Sequence, residues 1–118
     1  MGYSKDEIIN NARNIINNLT KKHNIKAAYI FGSYSKGNAS EYSDIDVAIV
    51  LDKIRNGSPF NESFEIFHEV QKQNSLFEVV CFSEIEFINE EENLIKHIKK
   101  EGIKIYSANE TGYPIINQ

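Results

Sequence analysis

Apolar residues recur at helical spacing along the first twenty residues and again between residues 83 and 101. The first stretch opens on a capping-box pattern, Ser4 with Glu7, and predicts a helix that continues to about residue 22. Ser83 and Glu86 repeat that pattern and predict a helix to about residue 101. The apolar stripe of the first helix consists of Ile8, Ala12, Ile15 and Leu19.

A further helix is predicted over residues 61–73. Phe60, Phe64 and Phe67 step at helical spacing there, and Gln71 continues the series. We interpret the three phenylalanines as core residues and not as a surface for stacking on nucleic-acid bases.

Four short apolar runs lie between and after these helices and predict β-strands. The runs are residues 25–31, 45–51, 76–82 and 103–106. Together the elements predict an α/β (α+β) fold: a small, mixed and mostly antiparallel twisted sheet with helices packed on one face. The pattern predicts a single domain over residues 1–106 and a polar tail over residues 107–118.

Charge and cysteine content narrow the classes of function. The chain carries 13 Lys and Arg against 17 Asp and Glu, a net charge of −4, which argues against a protein that tracks a nucleic-acid backbone. Its one cysteine, Cys81, excludes an internal disulfide and is typical of the reducing cytoplasm. No apolar run is long enough to predict a membrane span. We interpret the histidines as surface or boundary residues: His23, His68 and His97.

Two carboxylates enter the second predicted strand, and ten residues separate them from a Gly-Ser turn. Side chains alternate along a strand, so Asp44 and Asp46 project from the same face with Cα atoms roughly 6.5 Å apart. A pair of Mg²⁺ ions would neutralise them and hold the attacking and leaving oxygens of a phosphoryl or nucleotidyl displacement. Gly32 permits close approach of a phosphate, and Ser33 can cap a short helical turn whose N–H groups face an anion.

This block resembles the signature of the DNA polymerase beta-type nucleotidyltransferase superfamily, in its minimal nucleotidyltransferase branch. That signature is Gly-Ser, ten residues, then Asp-x-Asp. The resemblance implies a polymerase beta-like fold in which Gly32 and Ser33 contact the nucleotide phosphates, with Lys36 and Ser43 beside them. Many relatives carry arginine at the position of Lys36; lysine keeps the charge but loses the two-pronged guanidinium.

The resemblance also implies a third carboxylate on a later strand. Glu78 is the single acid in the apolar run 76–82 and is the candidate, as a metal ligand and as the general base that accepts the proton of the acceptor hydroxyl. The other interpretation of Glu78 is an edge-strand acid facing water. With Asp44 and Asp46, it would hold two Mg²⁺ ions, for which Mn²⁺ can substitute, and ATP would be the substrate.

The resemblance implies an enzyme that transfers AMP from ATP to a hydroxyl acceptor. No second domain is predicted to hold that acceptor, so we expect another subunit to complete the site. A helical HEPN-type ribonuclease toxin, modified on a tyrosine and neutralised by this chain as antitoxin, is the first choice; a homo-oligomer is also left open. Two other functions stay open: an enzyme acting on a small hydroxylated molecule, and a non-catalytic module that binds a nucleotide or a partner.

Overall fold

A computed structural model of the chain describes residues 4–32, 45–53 and 59–108. These residues form four helices and four strands. The helices are α1 (Lys5–Leu19), α2 (Pro59–Gln73), α3 (Glu84–Asn89) and α4 (Asn93–Glu101). The strands are β1 (Asn24–Phe31), β2 (Ile45–Lys53), β3 (Phe77–Ser83) and β4 (Ile103–Ser107).

The four strands form one sheet in the order β3-β2-β1-β4. β1 pairs antiparallel with both β2 and β4, whereas β2 and β3 are parallel. The parallel pair requires a crossover, and α2 supplies it. The predicted mixed, mostly antiparallel sheet is therefore confirmed.

Helices cover both faces of the sheet, which corrects the expectation that they pack on one. The first face packs its core against α1 and α2, through residues such as Val47 and Ile49 of β2. The second face packs against α3 and α4, and its buried strand residues are Ala27, Ala48, Val50 and Phe82. Residues 47–51 of the central strand β2 are all apolar. Because successive side chains alternate, this strand has two apolar faces to bury.

The capping box predicted for α1 is present. Ser4 Oγ accepts a hydrogen bond from the Glu7 N–H, and Glu7 Oε1 accepts one from the Ser4 N–H, both at 3.2 Å. The whole predicted apolar stripe of this helix is buried. Local capping and a helical period therefore define α1, which ends at Leu19 and not at residue 22.

The helix predicted from residue 83 to 101 is broken in two. Glu90 adopts a left-handed conformation with φ of 51° and ends α3, while the Glu91 N–H bonds to the Glu86 carbonyl oxygen at 3.2 Å. This hydrogen bond belongs to the common left-handed helix ending. The break allows Phe87 of α3 and Ile95 of α4 to enter the same core on the second face.

Helix α2 buries a different side from the one predicted. Phe64 and Phe67 are 51% and 41% exposed, whereas Ile66 and Val70 are buried. Glu62 lies on the buried side with its side chain fully enclosed. The interpretation of Phe64 and Phe67 as core residues is therefore wrong, while the side chain of Phe60 lies outside the described residues.

His23 is buried and not at the surface, which corrects its interpretation as a surface or boundary residue. Its Nδ1 atom makes a short contact with the Glu62 carboxylate, so each buried polar group has the other as its partner. The pair fastens α2 to the turn that follows α1.

At the other end of the chain, β4 continues to Ser107, one residue into the predicted tail. The Ala108 N–H then donates a hydrogen bond to the Lys26 carbonyl oxygen. Residues 109–118 of that tail lie outside the described residues. Within the described part of the chain, no helix is long and apolar enough to cross a bilayer.

Candidate active site

Gly32 follows the last residue of β1 and has a backbone that other residues rarely adopt. Its φ is +79°, in the left-handed region. A Cβ atom at this position would stand only 2.5 Å from Oδ2 of Asp46. Both the turn and the close approach of the carboxylate therefore require a glycine here.

Asp46 is the second residue of β2 and lies at one end of the sheet, between β1 and β3. It is the register partner of Phe31 in antiparallel β1 and of Glu78 in parallel β3. Neighbouring strands lie about 4.8 Å apart, so the Asp46 and Glu78 backbones are adjacent. Two acids that lie 32 positions apart in the sequence are thus brought side by side.

Both carboxylates project from the second face of the sheet. Asp46 alternates in step with Ala48, and Glu78 in step with Val80, both of which belong to the core on that face. Asp46 is half-buried and Glu78 is exposed. The end of the sheet that carries these acids is therefore accessible to solvent, while α3 and α4 pack against residues further along the strands.

The two described acids suit a hard divalent cation. Carboxylate oxygens are the ligands that Mg²⁺ and Mn²⁺ prefer. Because Gly32 has no Cβ, the Asp46 Oδ2 atom fits beside it without a clash. Within residues 4–32, 45–53 and 59–108, no group of three metal-ligating side chains forms. The other predicted site residues lie outside the described residues: Ser33, Lys36, Ser43 and Asp44. Their roles stay predictions.

A lysine on the same face was not singled out from the sequence. Lys104 of β4 is the register partner of Tyr29, and its Nζ lies 5.7 Å from the centre of the Tyr29 ring. The Tyr29 ring stacks on Phe87 at 5.4 Å between centroids. Burial raises the pKa of the Tyr29 hydroxyl, and the charge of Lys99 opposes that shift. The available signal was that Lys104 is the single charge in the apolar run 103–106.

Similarity to known proteins shows the family of the chain. A family model described as "Polymerase beta, Nucleotidyltransferase" matches residues 13–111, most of the chain. The chain belongs to this family. A protein of Methanocaldococcus jannaschii that is named as a protein adenylyltransferase is 35% identical over 54 residues. That match covers 46% of this nucleotidyltransferase chain and 53% of the relative, so the chain spans about half the relative's length.

Three solved structures share the fold of this nucleotidyltransferase. A protein from Sulfolobus solfataricus assigned as a nucleotidyltransferase superimposes with a TM-score of 0.61 at 17% identity, over 95% of this chain and 89% of that one. A toxin-antitoxin structure with AMP-PNP gives 0.55 at 20% identity, over 85% and 77% of the two chains. A mutant of the toxin-antitoxin MntA-HpeT gives 0.52 at 18% identity, over 93% and 78%. At these identities the likeness is one of fold.

Proposed function

We propose that this chain transfers AMP from ATP, with Mg²⁺, to a hydroxyl group of a partner protein. The observation that carries the proposal is the close approach of the Asp46 carboxylate to Gly32, which leaves no room for a Cβ there, beside Glu78 on the next strand. A turn without a Cβ next to clustered acids suits a polyphosphate whose charge is balanced by divalent cations.

Each site residue has a role in this proposal. Asp46, together with Asp44, would hold Mg²⁺, which when bound supplies the positive charge that polarises the phosphoryl oxygens. Gly32 and Ser33 would receive the phosphates, with Lys36 and Ser43 beside them.

Glu78 completes the reaction in the proposal. Its carboxylate takes the proton of the acceptor hydroxyl, whose oxygen forms a bond to the α-phosphorus while the bond to the leaving oxygen breaks. The products are the adenylylated acceptor and pyrophosphate. The exposure of Glu78 leaves room for an acceptor on the β3 side of Asp46.

We propose a tyrosine of a helical HEPN-type toxin as the acceptor, which makes this chain an antitoxin. Two kinds of relative support the choice: one is named as a protein adenylyltransferase, and two of the structures that share the fold are toxin-antitoxin structures. A partner that docks over the acid end of the sheet would also exclude water from the reaction.

Intact-mass spectrometry tests the proposal. The chain is mixed with the product of the neighbouring gene, ATP and Mg²⁺, and that product is expected to be a helical HEPN-type protein that gains the mass of one or more adenylyl groups on tyrosine. Asp46→Asn is the matched control, and if it removes about 4 kcal/mol of transition-state stabilisation the rate falls about a thousandfold. A partner that stays unmodified, and is neutralised equally well by the Asp46→Asn form, would show that binding alone does the work.

A further inference from the structure

The strand order determines the order in which the proposed acceptor base, the metal-binding acid and the phosphate turn lie across the second face. Glu78, the acceptor-side base of the proposed function, lies on β3; Asp46 lies on β2; and the phosphate turn at Gly32 follows β1. An in-line displacement needs the acceptor oxygen and the leaving oxygen on opposite sides of the α-phosphorus. The line that begins at β3 and crosses β2 therefore points the leaving pyrophosphate towards β1 and β4.

Lys104 carries a positive charge on that side. It lies on β4, opposite Tyr29, and its ammonium sits over the Tyr29 ring on the second face. Phe31, the register partner of Asp46, is two residues further along β1, which puts the Lys104 and Phe31 Cα atoms roughly 8 Å apart. The side chain of a lysine and the triphosphate of a nucleotide bound at Gly32 are together long enough to span this distance.

The charge of Lys104 is not used by a carboxylate in the described part of the chain. Its neighbour on this face, Lys99, differs: the Lys99 ammonium pairs with Glu90 at 3.2 Å and lies 5.0 Å from the centre of the Phe87 ring. Lys104 makes no ion pair with any described residue, and its side chain is exposed. Tyr29 holds the ammonium on the face through a cation–π contact, which leaves its N–H groups able to reach an anion.

We propose that Lys104 binds the β- and γ-phosphates of the nucleotide and, after transfer, the leaving pyrophosphate. The inference rests on the proposed function and names a further binding residue for it. As the bond between the α-phosphorus and the leaving oxygen breaks, the electron pair goes to pyrophosphate, and the Lys104 ammonium lies where that negative charge develops. Charge-assisted hydrogen bonds of this kind are the stronger ones in proteins.

Titration calorimetry of three ligands tests the assignment: Mg²⁺-ATP, Mg²⁺-pyrophosphate and AMP. Lys104→Gln is expected to weaken ATP and pyrophosphate about tenfold, the size of one charge-assisted contact, and to leave AMP unchanged. Lys104→Arg keeps the charge and is expected to restore most of the affinity. The matched control is Lys72→Gln, which removes an exposed lysine of α2, the helix on the opposite side of the sheet, and should change none of the three affinities.

Two results would overturn the assignment. If Lys104→Gln binds pyrophosphate as tightly as the unchanged chain does, Lys104 is an ordinary lysine of an edge strand. If it weakens AMP as much as ATP, its effect does not come from the phosphate tail. Transfer of AMP by the unchanged chain is judged separately by mass spectrometry, so a failure of the proposed function is distinguished from a failure of this inference.

Discussion

A methyl group at position 32 would occupy the space of the Asp46 carboxylate. Gly32→Ala must place a Cβ 2.5 Å from Asp46 Oδ2 and keep a φ of +79°, which costs an alanine about 1–2 kcal/mol by itself. We expect it to lower both the free energy of unfolding and the rate of AMP transfer. Urea denaturation and the mass assay measure the two effects.

A double-mutant cycle separates the two costs of Gly32→Ala. In an Asp46→Ala background the carboxylate is gone, so Gly32→Ala should lose only the backbone term and destabilise the protein less. Equal destabilisation in the two backgrounds would show that the close approach of the Asp46 carboxylate contributes nothing.

Glu78 can be tested by changing its charge and then its length. Glu78→Gln removes the base while Asp46 and Gly32 still hold the nucleotide, so we expect a lower kcat with little change in nucleotide affinity. Glu78→Asp keeps the carboxylate and should retain more activity than Glu78→Gln. Unchanged turnover in the Glu78→Gln form would support the other interpretation, in which Glu78 is an edge-strand acid that faces water.

The thiol of Cys81 is held in its protonated form. Burial raises its pKa to about 11; a hydrogen bond with the Ser63 side chain opposes the shift, and the Glu62 carboxylate adds to it. Only the thiolate is alkylated, so iodoacetamide at pH 8 should react roughly a hundredfold more slowly with the native chain than with the chain unfolded in urea. Similar rates in the two states, followed by mass spectrometry, would contradict this account.

The raised pKa of Cys81 also predicts how stability depends on pH. Between the ordinary pKa of a thiol and about 11, the native chain keeps a proton that the unfolded chain releases. The contribution of Cys81 to stability is therefore fully present below that window and is lost as the pH rises through it. Cys81→Ser should flatten this part of the pH profile.

Helix α2 carries two apolar sides, of which one is buried. Ile66 is fully buried, and Ile66→Ala should lower the free energy of unfolding by about 2–5 kcal/mol. Phe67 is 41% exposed, so Phe67→Ser should change it by only about 0.5 kcal/mol. Urea denaturation of both variants is the measurement, and a larger loss from Phe67→Ser would restore the interpretation of the phenylalanines as core.

The choice between these two sides depends on a partner outside the helix. A buried glutamate is costly unless paired, and Glu62 lies in the buried stripe because His23, from the turn after α1, reaches its carboxylate. The spacing of apolar residues within α2 gives no information about that turn. The break between α3 and α4 at Glu90 is likewise absent from the local pattern. The capping pattern at Ser83 indicates where α3 begins but not that it ends at Glu90, where both helices pack on the sheet.

For the molecule as a whole, nucleotide and metal should stabilise the fold together. A ligand that binds only the native state, at a concentration of about a hundred times its Kd, adds about 2.7 kcal/mol to the free energy of unfolding. In a domain of this size that raises the melting temperature by several degrees. We expect that rise with ATP and Mg²⁺ together, little with ATP alone, and its loss when EDTA is added. Asp46→Asn is the control, and a shift of the same size in that form would contradict a metal role for Asp46.

The sequence by itself was sufficient to predict the features that depend on residues close together in the chain. The capping box of Ser4, the stripe of α1, the four strands and the glycine before the acids all follow from short-range periodicity and backbone sterics. Spacing also singled out Gly32 and Asp46 as candidates. The family resemblance implied a third carboxylate, and Glu78 was the candidate as the single acid in its apolar strand.

Only the tertiary structure decided which of these residues meet. Parallel pairing of β2 and β3 makes Asp46 and Glu78 register partners, and antiparallel pairing with β4 puts Lys104 on the same face. Burial on both sides of β2, the choice of the Glu62 side of α2 and the pairing with His23 are also contacts between distant segments. Such contacts depend on strand order and on the balance of desolvation against pairing, and neither quantity is encoded in the spacing of residues along one element.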